Sequence, residues 1–102
     1  MANRIEHPYT VAAINVTSAL EQTYILDLGS LPIRLSVESM CAGTADTKIY
    51  TGNDESGFKQ YGSTITSYPS LIQMPTPTYR FIKVVVTPTG SQAILVTISS
   101  KL

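Results

Sequence analysis

The chain lacks most of the side chains that carry out catalysis or hold metal ions. Its 102 residues contain one histidine, His7, one cysteine, Cys41, and no tryptophan. A serine–histidine–aspartate triad would need His7, which lies beside Pro8 and which we expect to be a solvated surface side chain. A tetrahedral zinc site needs about four ligands, mainly Cys and His, and the chain has too few. We therefore predict no catalytic residue, no metal site and no cofactor.

The remaining reactive groups point the same way. Cys41 falls at the end of a predicted strand, where a free cysteine is typical of core packing. Asp46, Asp54 and Glu55 are close in sequence, but Asp54 and Glu55 fall in a turn and not across a cleft, as a glycosidase requires. The ligand order of an EF-hand loop is missing, as are the GxSxG, GxGxxG and phosphate-loop motifs. We predict that the protein is not an enzyme.

Charge is also scarce, at 14% of residues compared with about 25% in typical soluble domains. Seven basic residues balance seven acidic ones, and none of the basic residues form a block, so we predict no nucleic-acid binding. No apolar run approaches the roughly 20 residues needed to cross a membrane, and the first residues do not resemble a signal peptide. We expect no membrane partner and folding in the cytoplasm of the producing cell.

Hydroxyl side chains and short apolar alternations take the place of charge. The chain has 11 serines and 13 threonines, which suit strands and surfaces that neighbours cover. Alternation is clearest at 33–37, where Ile33, Leu35 and Val37 share one face. From 11 to 28 we favour two strands, with Ala12, Ile14 and Val16 on one face of the first and Tyr24, Leu26 and Leu28 on one face of the second. A helix over 11–21 remains the alternative.

Turn residues divide the rest of the chain. Residues 47–61 predict a β-hairpin around the polar turn 52–57. The proline-rich stretch 62–78 predicts a long connection with a short edge strand at 70–74. Two alternating strands, 79–87 and 93–99, predict a terminal hairpin.

This spacing of turns predicts an all-β protein, a jelly-roll-like antiparallel β-sandwich of about seven or eight short strands. At this length the chain has room for one domain, which we place at 10–102, after an N-terminal arm at 1–9.

The tyrosines are the candidate binding residues. A tyrosine ring offers a flat apolar face and a hydroxyl, which suits both sugar stacking and protein interfaces. Packing at sheet edges is the alternative role. Together with the polar turn they form the candidate site for a ligand or partner: Tyr50, Asn53, Asp54, Tyr61, Tyr68 and Tyr79.

Short motifs resemble the discoidin-like, or galactose-binding-like, jelly rolls. The stretch Tyr24–Gly29 (YILDLG) resembles their "DLG" strand, Ile49–Asp54 (IYTGND) their strand and turn, and Tyr79–Val84 (YRFIKV) a later strand. The resemblance covers about residues 22–86 and implies a jelly roll. The turn departs from the family pattern because Glu55-Ser56 separates Asn53-Asp54 from Gly57, so no ligand residue is carried over.

The whole chain also resembles, in type, the small structural proteins of tailed bacteriophages. It is short, neutral, rich in Ser, Thr and Val, and lacks reactive residues. This resemblance implies a virion protein, most simply a capsid decoration or cement protein that binds the major capsid protein or other virion proteins. We expect a homo-oligomer, for which a trimer would be a natural symmetry. The alternatives are a tail or fibre component and a carbohydrate-binding module that attaches to host glycans.

Overall fold

A computed structural model describes residues 3–4, 9–29, 34–74 and 79–101. These residues form strands and contain no helix. The strands are β1 (Asn3–Arg4), β2 (Tyr9–Ser18), β3 (Gln22–Asp27), β4 (Arg34–Cys41), β5 (Ala45–Asp54), β6 (Gly57–Ile65), β7 (Ser70–Met74), β8 (Phe81–Pro88) and β9 (Gln92–Lys101). His7, Ile33 and the stretch 75–78 lie outside the described residues, as do residues 5–8 of the predicted arm.

The strands form two sheets that pack face to face. The five-stranded sheet has the order β1-β3-β8-β5-β6, and the four-stranded sheet has the order β2-β9-β4-β7. The pairings are antiparallel, except that the two residues of β1 run parallel to β3. From β2 to β9 the chain changes sheet after every strand except β5. This connectivity is that of an eight-stranded jelly roll, the fold class that the sequence predicts.

The segment 11–21 contains no helix and belongs to strand β2 as far as Ser18, but the face predicted for this strand is wrong at Ala12. Ile14 is buried and Val16 is half-buried, whereas Ala12 is exposed. The reason is a β-bulge between Ala12 and Ile14, where the register against β9 shifts by one residue. The extra residue, Ala13, turns Ala12 to the opposite face, because alternation counts paired positions and not residues.

The hairpin at 47–61 is confirmed, with β5 and β6 joined at Glu55-Ser56. The long connection is shorter than predicted because β6 continues to Ile65, with a register shift around Gly62, whose φ is +70°. The predicted edge strand at 70–74 is confirmed as β7, which forms one edge of the four-stranded sheet.

The predicted terminal hairpin is wrong. β8 pairs with β3 and β5, whereas β9 pairs with β2 and β4 in the other sheet. The short connection at 89–91 therefore crosses between sheets. Both strands do bury the faces that alternation predicts, because each points its apolar side chains into the same core from opposite sheets.

The core fills the space between the sheets with branched apolar side chains. The faces predicted for β3, β4, β8 and β9 are confirmed where the structure describes them, and most of these side chains are almost fully buried. They include Leu26, Leu28, Leu35, Val37, Ile82, Val84, Val86, Ile94, Val96 and Ile98. Full burial of a side chain of this size contributes about 1.5–3 kcal/mol, so this core accounts for the cohesion of the two sheets.

Candidate functional site

The six predicted site residues do not form one site. Tyr50 lies on the outer face of the five-stranded sheet, and Asn53 and Asp54 lie at the β5–β6 turn. Tyr61 and Tyr79 pack at the margin of the core. Tyr68 lies in the connection between β6 and β7 and also packs against the core.

Tyr68 belongs to an internal chain of hydroxyl groups that joins the two sheets. Its hydroxyl is 3.0 Å from the carbonyl oxygens of both Ala45 and Ile65, and 2.9 Å from Thr47 Oγ1. Thr47 on β5 lies 3.1 Å from Ser39 Oγ on β4. Carbonyls only accept, so Tyr68 donates to a carbonyl, Thr47 donates to Tyr68, and Ser39 donates to Thr47. These hydrogen bonds give the buried hydroxyls of Ser39 and Thr47 their partners, so this row of hydroxyl groups has a structural role.

Cys41 lies next to the hydrogen-bonded hydroxyls of Tyr68 and Ser39. Burial raises the pKa of the Cys41 thiol above its usual value, and hydrogen bonds with Tyr68 and Ser39 offset part of that rise. The thiol is therefore protonated at neutral pH, which is the less nucleophilic form. Burial also raises the pKa of Tyr68.

Tyr79 and Tyr61 lie near each other at the margin of the core. Burial, and then the nearby Tyr61, raise the pKa of Tyr79 to about 12. The Tyr79 hydroxyl donates to Met74 Sδ at 3.8 Å. A half-buried ring with its hydroxyl turned to a core methionine fits packing at the sandwich margin, the alternative role for these tyrosines.

The polar turn is built by its own side chains. Asp54 Oδ1 accepts hydrogen bonds from the Ser56 backbone N–H and hydroxyl, both at 2.9 Å, and these bonds lower the pKa of Asp54. Asn53 Oδ1 accepts from the Arg80 backbone N–H at 3.1 Å. Asp54 therefore shapes the turn, as turn residues do, whereas Asn53 holds the end of β5 against the residue that precedes β8.

Tyr50 is part of an aromatic and cationic cluster that the sequence did not predict. Lys83 Nζ lies 4.8 Å from the centre of the Tyr50 ring and 4.6 Å from that of Phe58. Phe58 lies over Gly52, where an added Cβ would meet the Gly57 carbonyl and the Phe58 ring. The sequence indicates part of this cluster through the alternation of β8. Phe81 and Lys83 occupy the positions between those that face the core, and so they point to the outer face.

An ion pair extends this outer face. The Arg80 guanidinium donates to both carboxylate oxygens of Asp27, at 3.0 and 2.9 Å, and lies 5.0 Å from the centre of the Phe81 ring. Asp27 also accepts from the Gly29 backbone N–H at 2.8 Å. Arg80, Asp27 and Phe81 therefore form a second set of contacts on this side of the five-stranded sheet.

The outer face of the four-stranded sheet is different. Leu95 and Met40 lie opposite each other on β9 and β4, and Leu71 lies on β7 opposite Glu38. The exposed fractions of Leu71, Met40 and Leu95 are 58%, 45% and 36%. Hydroxyl, amide and alanine side chains fill most of the remaining outward positions: Thr10, Ala12, Asn15, Thr17, Ser36, Gln73, Ala93, Thr97 and Ser99. We call this surface the hydroxyl face.

The described residues form a groove but no cluster of metal ligands. A shallow groove of about 520 Å³ on the hydroxyl face is lined by residues that include Asn15, Met40 and Leu95. Over the part of the chain that the structure describes, no three His, Cys, Asp or Glu side chains converge as a metal site would require. Within the same ranges, no helix could span a membrane.

Comparisons with known proteins do not assign the chain to a family. No family model matches it, and no curated protein matches it. Among solved structures, the chain is similar to one described as the crystal structure of PirA, with 15% identity over 92% of this chain and 91% of that chain, and a TM-score of 0.41. A similarity at this level carries no argument about function, so the fold rests on the strand order described above.

Proposed function

We propose that this protein is a non-enzymatic structural protein of a virion, a capsid decoration or cement protein that stabilises the particle through protein–protein contacts. The observation that carries the proposal is the hydroxyl face, which combines three exposed apolar side chains with few charges. The core of a protein interface is depleted of charged residues in the same way.

The arrangement of the face supports a flat contact. Met40 and Leu95 are direct cross-strand neighbours, and Leu71 lies one row further along the sheet. Around them are small and hydroxyl side chains, which a partner covers at little desolvation cost compared with charges. The charged residues among the described outward positions of this face are Glu38 and, at the start of β4, Arg34.

Repetition would make such a contact strong. The major capsid protein offers many identical sites on one particle, so weak contacts made by each copy of an oligomer add up through multivalency. A symmetric homo-oligomer presents several copies of the hydroxyl face at once. The same contacts would serve a tail or fibre component, and in either case the protein is located in the virion.

The test uses particles of the virus that encodes the chain. Purified particles should contain the protein, and purified protein should bind particles prepared without it and raise the temperature at which they break. Leu95→Lys should weaken that binding at least about 10-fold, because it buries a charge in the contact. Thr23→Lys is the matched control, an exposed residue on the other sheet, and should bind normally.

Two results would overturn the proposal. Particles that contain none of the protein would exclude a virion role. Equal binding by Leu95→Lys and the unaltered protein would exclude the hydroxyl face as the contact.

A second candidate function is adhesion to host glycans, and Tyr50 is the observation that favours it. Its ring is partly exposed on an open sheet face, beside Lys83 and Gln60, as a stacking platform requires. A glycan array should then give hits that Tyr50→Ala removes and Thr23→Ala keeps. An array without hits, for protein shown to be folded, would exclude this function.

A further inference from the structure

The described part of the sandwich has four edge strands, and three of them carry features that discourage pairing with another chain. The strand β1 has only two residues. β6 carries Lys59 and an irregular register around Gly62. β7 has five residues and lies between Pro69 and Pro75 in the sequence. Short length, lysine, bulges and proline are the usual means by which proteins protect sheet edges.

The fourth edge strand, β2, is long and lacks most of this protection. It spans ten residues, YTVAAINVTS, with no charged residue and no proline. Its one irregularity is the bulge at Ala13, beyond which residues 14–18 pair regularly with β9. No other described strand pairs with β2 on the side away from β9. Along that side, backbone N–H and C=O groups remain for a further strand.

We propose that β2 pairs antiparallel with β2 of a second copy of this chain, which joins the two four-stranded sheets into one eight-stranded sheet across a two-fold axis. This proposal does not depend on the virion role.

The absence of charge on β2 favours a second copy of the chain as the partner strand. Antiparallel self-pairing places the residues near the two-fold axis next to their own copies, so a charge near the middle of β2 would lie near a like charge. β2 has none, and neither do the outward residues beside it on β9, which are Ala93, Leu95, Thr97 and Ser99. A contact that repeats the same neutral surface on both sides meets no repulsion.

Alternation is compatible with the same pairing. Within 14–18, Ile14 and Val16 point to the core while Asn15 and Thr17 point outward. In a register centred on Val16, Asn15 of each copy lies opposite Thr17 of the other, so outward residues meet outward residues. Two polar side chains then face each other on the surface and can hydrogen-bond.

The test measures mass in solution by size-exclusion chromatography with light scattering. At about 100 µM, where a dimer with a micromolar Kd is largely formed, the unaltered protein should have twice the mass of the chain. Asn15→Lys places like charges near the two-fold axis and should yield monomer. Gln73→Lys is the matched control on the edge strand β7 of the same sheet, and should remain dimeric.

Disulfide trapping tests the pairing independently of any loss of folding. In a Cys41→Ser background, a mixture of Asn15→Cys and Thr17→Cys chains, whose cysteines lie opposite each other across the axis, should form a disulfide-linked dimer on mild oxidation, whereas Gln73→Cys should not. A monomeric or trimeric unaltered protein would overturn the proposal, and so would trapping at Gln73 in preference to β2. If Asn15→Lys is monomeric but still binds virus particles, the dimer and the decoration role are separate properties.

Discussion

The outer faces of the two sheets differ more than their inner faces do. Both sheets bury branched apolar side chains in one core. On the outside of the five-stranded sheet, Lys83 lies between two aromatic rings and Arg80 pairs with Asp27. On the outside of the four-stranded sheet, Leu71, Met40 and Leu95 are exposed among hydroxyl groups.

The difference indicates which surface a partner would stabilise more. Charged and aromatic groups that contact each other within the chain gain their stabilisation when the chain folds. Exposed apolar side chains gain theirs only when another molecule covers them, at about 25 cal/mol per Å² of apolar area removed from water. The four-stranded sheet is therefore the side on which both the capsid contact and the β2 pairing are proposed.

The largest expected difference in the free energy of unfolding is between two leucine substitutions, one in the core and one on the hydroxyl face. Leu26 is fully buried, so Leu26→Ala should lower the free energy of unfolding by about 2–5 kcal/mol. Leu71 is 58% exposed, so Leu71→Ala should change it by less than about 0.5 kcal/mol. Urea unfolding measures both. A large decrease in the free energy of unfolding for Leu71→Ala would show that Leu71 already packs against other residues of the chain. That result would contradict the difference described between the two outer faces.

The next effect compares an internal hydroxyl with an external one. Tyr68→Phe removes the hydroxyl that accepts from Thr47 inside the sandwich, and should cost about 1–3 kcal/mol in the free energy of unfolding. Tyr50→Phe keeps the ring beside Lys83 and should be neutral to within about 0.5 kcal/mol. Thermal and urea unfolding give both values. Equal costs would contradict the structural role assigned to Tyr68.

A smaller effect compares the carboxylates of the two outer faces directly. Asp27→Asn removes the ion pair with Arg80, whose side chain is 57% exposed, and should lower the free energy of unfolding slightly at low salt and less at high salt. Asparagine keeps an oxygen that accepts from the Gly29 N–H. Glu38→Gln on the hydroxyl face should change the free energy of unfolding by less than about 0.5 kcal/mol at any salt concentration. A larger, salt-dependent cost at Glu38 would remove the electrostatic difference between the faces.

The smallest effect concerns the turn at the end of the five-stranded sheet. Hydrogen bonds from Ser56 lower the pKa of Asp54 below its ordinary 3.8, and Ser56→Ala should return it part of the way because the backbone bond remains. A group whose pKa is lowered by folding stabilises the fold above its unfolded pKa and loses that contribution as pH falls through the folded pKa. Titration followed by carbon-13 NMR measures the midpoint. No change in Ser56→Ala would mean that the Ser56 hydroxyl does not act on Asp54.

Alternation could be interpreted correctly from the sequence where a strand is regular, but of the two hairpins predicted only that at 47–61 is present. The strand at 70–74 and the hairpin at 47–61 have the predicted positions, and Leu35 and Val37 are buried as expected. The prediction of a terminal hairpin is wrong because a three-residue connection is compatible both with a hairpin and with a change of sheet. Ala12 was assigned to the wrong face because a bulge is set by the register against β9, which the residues of β2 alone do not reveal.

The candidate site was predicted less well than the fold. Residue type identified Tyr50 as a surface aromatic, but Tyr68 is of the same type and donates to backbone carbonyls inside the sandwich. Lys83 and Phe58 were missed because their contact with Tyr50 depends on three strands being adjacent in one sheet. The predicted turn at 52–57 is wider than the turn observed at Glu55-Ser56, because Asn53 and Asp54 belong to the end of β5. The Asp54 side chain accepts hydrogen bonds within the turn, whereas that of Asn53 accepts from the distant Arg80.

The sequence by itself determined the all-β class, the scarcity of catalytic residue types and the low charge of the chain, because composition and period-two alternation act over a few residues. The tertiary structure decided which strands share a sheet, and therefore which residues share an outer face. That choice depends on contacts between residues far apart in sequence, such as Met40 with Leu95 and Asp27 with Arg80. The single histidine and single cysteine could be recognised at once, but the hydroxyl face exists only after β2, β9, β4 and β7 have come together.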